Sequence, residues 1–405
     1  MQGAGGALII PTASPILLSS FPTEQKGKIF GIYISIGAFF LALGPITGGL
    51  ITQYLNWRYI FWINVPIIIF GLLLTYLFVP KSEKRDESFD FLGFFTTAFG
   101  ISLLIVGLMQ GKEWGWTYWP VPAMIILGIL LLLALAIFDR DVKDPFIDFN
   151  LFRDRGYLGA TLCVFTTQAM IALTIFWAVY FQTVLHYSPS FAGLWAMIAN
   201  IPVILFSNIG GYLYDRFGPK LPVVLGYFLS ITGIVWFVFV PTRSTPMLLF
   251  PVVFLFGCGI PMIFLPCTTF SMSIVPPNKK GVVMGMNMTV RQFGATLGLA
   301  IFGQIYMTFH GHFFASHMAE DPATATLNPK TFEGILAQSK LSSAVLKNLP
   351  PDVAAKISSD YLHASVSSTQ IVNLCGALLT IGGLICAFFL LRWGKYESIK
   401  TKKQN

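Results

Sequence analysis

The sequence predicts an all-α polytopic membrane protein, and three observations carry that prediction. Apolar residues make up 55% of the 405 residues and charged ones 11%, with a mean hydropathy of +0.71; soluble domains carry roughly twice that charge fraction. The apolar residues gather in runs of about 20, the length at which a helix rising about 1.5 Å per residue crosses a hydrocarbon core. Those runs hold no Asp or Glu and one basic residue, Arg291. Such a chain cannot wrap a core in a polar skin. A disordered chain, a secreted disulfide scaffold and a soluble nucleic-acid binder are excluded.

Eleven runs qualify, in chain order 3–20, 29–53, 59–79, 91–110, 120–138, 157–182, 190–214, 221–240, 246–270, 282–306 and 369–391. Pro11 and Pro15 interrupt the first, and Pro251, Pro261 and Pro266 interrupt 246–270. A proline removes a helix donor, which membranes tolerate where a neighbouring helix re-satisfies the freed carbonyl. The five cysteines, Cys163, Cys258, Cys267, Cys375 and Cys386, all fall inside runs and lack CxxC spacing. They read as small core hydrophobes.

Orientation follows from the Lys/Arg bias of the short loops. One set of loops holds Lys26, Lys28, Lys81, Lys84, Arg85, Arg140, Lys143, Arg153, Arg155, Arg216, Lys220, Lys279, Lys280, Arg392, Lys395, Lys400, Lys402 and Lys403, which is 18 basic residues. The opposite short loops hold Arg58, Lys112 and Arg243, only three. The bias predicts a multi-pass protein of the cell (inner) membrane with a cytoplasmic C-terminus, residue 1 outside and an extracytoplasmic segment at 307–368.

Sliding the chain against itself by 254 positions aligns 3–49 with 257–303 without a gap. Pro22/Pro276, Lys26/Lys280, Gly27/Gly281, Gly31/Gly285, Gly44/Gly298 and Gly49/Gly303 are among the identities. The downstream copy is preceded by three runs, 157–240, and the upstream copy by none. Equivalent halves would require three further helices before residue 1, and fourteen in all. The organisation expected is then 1–80, the remainder of a first half; 81–156, a central helix pair (91–110 and 120–138) with a linker; 157–391, a six-helix second half; and 392–405, a tail. Paired halves about a midplane cavity are the architecture of secondary transporters.

Local motifs sharpen this. The run 29–53 carries Gly31 and then Gly44-Pro45-Ile46-Thr47-Gly48-Gly49, a glycine-lined face with a proline bend, followed by Trp57-Arg58-Tyr59-Ile60. The loop Gly211-Tyr212-Leu213-Tyr214-Asp215-Arg216-Phe217-Gly218-Pro219-Lys220 sits between two runs. Pro145-Phe146-Ile147-Asp148-Phe149-Asn150-Leu151-Phe152-Arg153 leads into the second half, and Tyr187-Ser188-Pro189 follows His186 at an outer turn. On these motifs the chain resembles the fourteen-helix drug:proton antiporters of the major facilitator superfamily, the EmrB/QacA group, from Gln2 to about Trp393. The resemblance implies that Gly31, Gly44, Pro45, Gly48 and Gly49 form the antiporter glycine face. It implies that Gly211, Asp215, Arg216, Gly218 and Lys220 form a cytoplasmic gating loop, Asp215 facing a helix N-terminus and the two cations pairing with carboxylates across the seam. Pro219 stands where the family has a basic residue, and His186 where it has Gly.

Polar groups inside membrane runs are the remaining candidates. Arg291 lies about 10 residues into its run, with Asn287 on the same helix; Gln168 and Asn200 lie elsewhere. For Arg291, snorkelling to the interface and a cavity role both stand; for each amide, an interhelical hydrogen bond stands beside substrate contact. Pairs such as Phe176-Trp177 and Tyr180-Phe181 read as packing or lipid-facing. His310-x-His312 with His317 lacks a completing carboxylate or Cys, and no G-x-x-x-x-G-K-[ST] loop occurs. The expectation is a transporter, with no enzyme chemistry, cofactor or metal, and no nucleic-acid partner: an exporter of hydrophobic, often cationic small molecules by proton antiport, in the lipid bilayer. Its coupling acid would lie in the helices before residue 1, and no residue specifies a membrane-fusion partner. A non-transporting truncated or scaffold protein, and an exporter of a lipid or siderophore, are the alternatives.

Overall fold

A computed structural model describes residues 26–79, 90–138, 147–239, 246–275, 280–320 and 350–392, with isolated positions elsewhere. The described chain is helical throughout: α1 Lys26–Tyr54, α2 Tyr59–Trp62, α3 Asn64–Phe78, α4 Phe91–Trp114, α5 Pro120–Phe138, α6 Arg155–Ile171, α7 Leu173–Thr183, α8 Pro189–Phe217, α9 Lys220–Val238, α10 Pro246–Ser273, α11 Lys280–Glu320 and α12 Pro351–Leu390. A short 3₁₀ turn, Phe149–Arg153, precedes α6.

Eight stretches among the described residues are long and apolar enough to span a bilayer: Tyr59–Phe78, Phe91–Gly111, Pro120–Ile137, Arg155–Thr183, Pro189–Phe217, Lys220–Val238, Met247–Ser273 and Pro351–Leu390. Eleven were expected. The run 3–20 lies outside the described residues apart from isolated positions, while α1 and α11 cover 29–53 and 282–306 without being among the eight.

The helices from α6 to α12 close around one buried core that includes Trp177, Tyr227, Phe237, Phe256 and Phe270. Hydrophobic pairing cannot drive this in lipid, so backbone approach and interhelical hydrogen bonds must. Both are present. A Cβ on Gly294 would lie 2.6 Å from the Phe165 carbonyl oxygen, and one on Gly298 2.6 Å from that of Ala169, so α11 lies against α6 backbone to backbone. Trp177 Nε1 donates to Asn373 Oδ1 at 2.8 Å between α7 and α12, and Trp177 stacks on Phe237 at 5.5 Å. Phe176-Trp177 and Tyr180-Phe181 are therefore packing residues; all four are buried. By contrast α2 and α3 bury no residue at all.

Two features depart from the sequence reading. The first membrane run of this bundle is broken: α6 stops at Ile171 and α7 restarts at Leu173, with the Ala172 N–H turned to the Ala169 carbonyl at 3.2 Å. No proline or glycine marks the break. Also, α11 continues beyond residue 306 to Glu320, and α12 begins at Pro351, well before residue 369. The ends of segment 307–368 are thus long helical extensions packed on each other through Phe314, Met318, Ile357 and Ala364.

Turn chemistry explains two motif positions. Gly218 has φ +82° at the end of α8, a conformation costly for any residue with a Cβ. His186 has φ +54°, which accounts for glycine being usual there. His186→Gly should therefore stabilise the protein by about 1 kcal/mol, and Gly218→Ala should destabilise it by about 1–2 kcal/mol. Thermal unfolding in detergent checks both; a lower midpoint for His186→Gly would contradict the strain argument.

Candidate functional site

The site is assembled from a seam and a bundle face. At the seam, the end of α1 meets the start of α8. Gly49 is buried there because a Cβ would collide with the Pro189 carbonyl. One turn on, Gln53 Oε1 accepts from the Ser190 backbone N–H at 3.2 Å and from the Ser190 hydroxyl. Ser188 Oγ accepts from the Phe191 N–H at 3.3 Å. The orphan donors of the first turn of α8 are thus satisfied partly from within and partly by α1. Gly44 and Gly48 have no atom within 4 Å of a built Cβ, so of the expected glycine face Gly49 makes the close approach. The side-chain surroundings of Gly31 and Pro45 lie outside the described residues.

On the bundle, Arg291 is half-buried, with its guanidinium carbon 4.9 Å from the centroid of Phe264 on α10. It faces protein, and no ion pair to it is found among the described residues. One turn earlier Asn287 is 3% exposed, and neither atom of its amide has a hydrogen-bond partner. Gln168 is buried on α6, one turn before the helix break. Asn200 donates to its own helix, Nδ2 to the Ala196 carbonyl at 2.8 Å. Of these four expected cavity residues, Asn287 and Arg291 share a face of α11, Gln168 lies on α6, and the Asn200 amide nitrogen bonds within α8.

The loop expected to act as a gate closes the end of α8. Arg216 donates Nη1 to Tyr212 Oη at 3.1 Å and sits over the Phe217 ring at 5.3 Å. Asp215 is exposed. Lys220 is 6% exposed, and its Nζ lies 4.4 Å over the Phe388 ring at the end of α12. Both cations thus lie over aromatic rings. Gly211 packs loosely, its built Cβ 3.7 Å from Leu265, and Gly218 supplies the turn.

Contacts elsewhere join helix ends that alternation places on one side of a membrane. Gln304 Nε2 donates to the Met109 carbonyl at 2.7 Å, fixing the α4–α5 pair to α11. The Tyr157 hydroxyl reaches Met286 Sδ at 3.7 Å, where linker residues Ile147, Leu151 and Phe152 pack underneath. Of the histidines, His310 is buried against Ser365 Oγ at 3.1 Å, while His317 faces His363 of α12 at 6.2 Å.

The major facilitator superfamily model matches residues 1–299. The chain belongs to the major facilitator superfamily. Within the superfamily it is 29% identical over 310 residues to multidrug resistance protein Stp of Mycobacterium tuberculosis (strain CDC 1551 / Oshkosh), covering 75% of this chain and 57% of that protein. It is 25% identical over 394 residues to the tetracenomycin C resistance and export protein of Streptomyces glaucescens, covering 96% and 73%. The chain thus spans little over half the length of Stp. The fold matches the crystal structure of a bacterial homologue of the human lysosomal transporter Spinster, inward-facing and unoccupied, with a TM-score of 0.52 at 17% identity, over 95% of this chain and 76% of that one. The superfamily consists of membrane transporters. It is not an enzyme family.

Proposed function

We propose that this chain forms the larger part of a proton-coupled exporter of hydrophobic small molecules that works by alternating access. The observation that carries the reading is the α1–α8 seam. A helix lying outside the α6–α12 bundle meets it through Gly49 against Pro189 and through the hydrogen bonds of Gln53 to Ser190. The α1–α8 pairing is among the most extensive between helices of the described residues, and its close backbone approach at Gly49 is the kind of small-residue contact on which two packed helices can rock. The names of two similar proteins, one for multidrug resistance and one for resistance and export, support efflux as the direction.

The fourteen-helix plan belongs to this proposal and rests on the internal repeat. So does a set of three helices ahead of α1 and the run 3–20, carrying the acid that proton exchange needs. The C-terminus is placed in the cytoplasm on the 18-to-3 loop bias. Reporter fusions at Ser343 and Gln404 should fall in opposite compartments; one shared compartment would contradict the topology.

The transport test uses proteoliposomes with an imposed pH gradient, comparing the 405-residue chain with an extended protein that also carries the three upstream helices. Proton-driven movement of a hydrophobic dye is expected from the extended protein, and none from the chain alone. Dye movement that is indifferent to the gradient in both would sink the antiport reading.

A further inference from the structure

Resting on the transport reading above, we propose that the Arg291 face of α11 selects substrates carrying an oxyanion head on an aromatic body, the reverse of the cationic class implied by the family resemblance. The argument is one of charge. A guanidinium inside a membrane run is costly and is normally matched by a carboxylate or a water-filled cavity. Among the described residues Arg291 has the ring of Phe264 and no acid, and the membrane runs contain no Asp or Glu. A ring face supplies a weaker partner than an anion does. The bundle face is therefore positive, in a medium of low dielectric where an unmatched charge acts over a long range. A cationic substrate meets repulsion there, while a carboxylate meets a planar fork of donors that fits its two oxygens.

Asn287 supplies the second observation. Its amide is one helical turn from Arg291, buried, and without a partner on either atom. Buried amides are almost always bonded, so an orphan beside an unmatched cation marks a place where an acceptor belongs. An oxyanion held by Arg291 and reaching inward provides that acceptor for the Asn287 N–H. The apolar body of the substrate has an aromatic wall at hand in the Phe264 ring itself.

The test is ligand binding to the purified 405-residue chain, read by quenching of its tryptophan fluorescence. Three probes of one shape are compared: 1-naphthoate, neutral 1-naphthamide and 1-naphthylmethylammonium. The expected result is naphthoate binding at least tenfold tighter than either of the others. Arg291→Gln should abolish that preference, Arg291→Lys should retain part of it, and Asn287→Leu should weaken naphthoate alone. Equal affinities for the three probes in the unmodified chain would overturn the proposal, whether or not Arg291→Gln folds. So would a naphthoate preference that survives in a folded Arg291→Gln variant. Counterflow of naphthoate by the extended protein is measured alongside. Selective binding without counterflow counts against the transport reading and leaves the assignment of this face supported.

Discussion

Gly49→Ala is expected to cut transport about tenfold or more, through one added methyl group. The methyl would collide with the Pro189 carbonyl, so α1 and α8 must separate or bend. Overpacking of this kind costs about 1–3 kcal/mol, enough to shift a poised two-state equilibrium by an order of magnitude or more. Gly48→Ala, one residue away, is the control, since no atom lies within 4 Å of a Cβ built there. It should transport normally. If the two variants behave alike, close backbone approach at Gly49 is not what the seam requires.

Trp177→Ala should have the largest effect on the fold itself. Trp177 is 2% exposed, stacks on Phe237, meets Phe256 edge-on at 4.8 Å and donates to Asn373. Truncation removes a large aromatic from the core of the α6–α12 bundle and leaves the Asn373 oxygen without that donor. A loss of about 3–5 kcal/mol is expected from the cavity, with about 1–3 kcal/mol more for the orphaned acceptor. Asn373→Leu keeps the packing and orphans the indole N–H, so it should cost only the smaller amount. Unfolding midpoints from size-exclusion chromatography after heating rank the variants; equal losses would show that packing is not the dominant contribution.

Much of this architecture was legible because membrane helices obey one length and one composition. The runs at 91–110, 120–138, 190–214 and 221–240 coincide with helices to within a few residues. For Arg291 the sequence left snorkelling and a cavity role both open, and the neighbour that it meets, Phe264, comes from another helix. Other features depend on tertiary partners and leave no local trace. The break at Ala172 lies in a sequence without proline or glycine. The extensions of α11 and α12 persist because Phe314, Met318 and Ile357 pack across them, although hydropathy falls away after residue 306. The position of Lys220 over the Phe388 ring was not visible from charge alone. His186 was visible as a departure from the family pattern, but only its positive φ gave the departure a physical reason.

The claim that the α1–α8 seam opens and closes during transport has a direct measurement. Cysteines are placed at Gln53 and Ser190 in a transport-competent protein lacking its native cysteines, Cys163, Cys258, Cys267, Cys375 and Cys386 among them. Gln53 Oε1 reaches the Ser190 hydroxyl, so the two thiols lie within the span of a short bis-methanethiosulfonate cross-linker, which is added to join them and is released by reduction. Efflux should stop in proportion to the cross-linked fraction and return on reduction. Undiminished efflux from fully cross-linked protein would contradict the account.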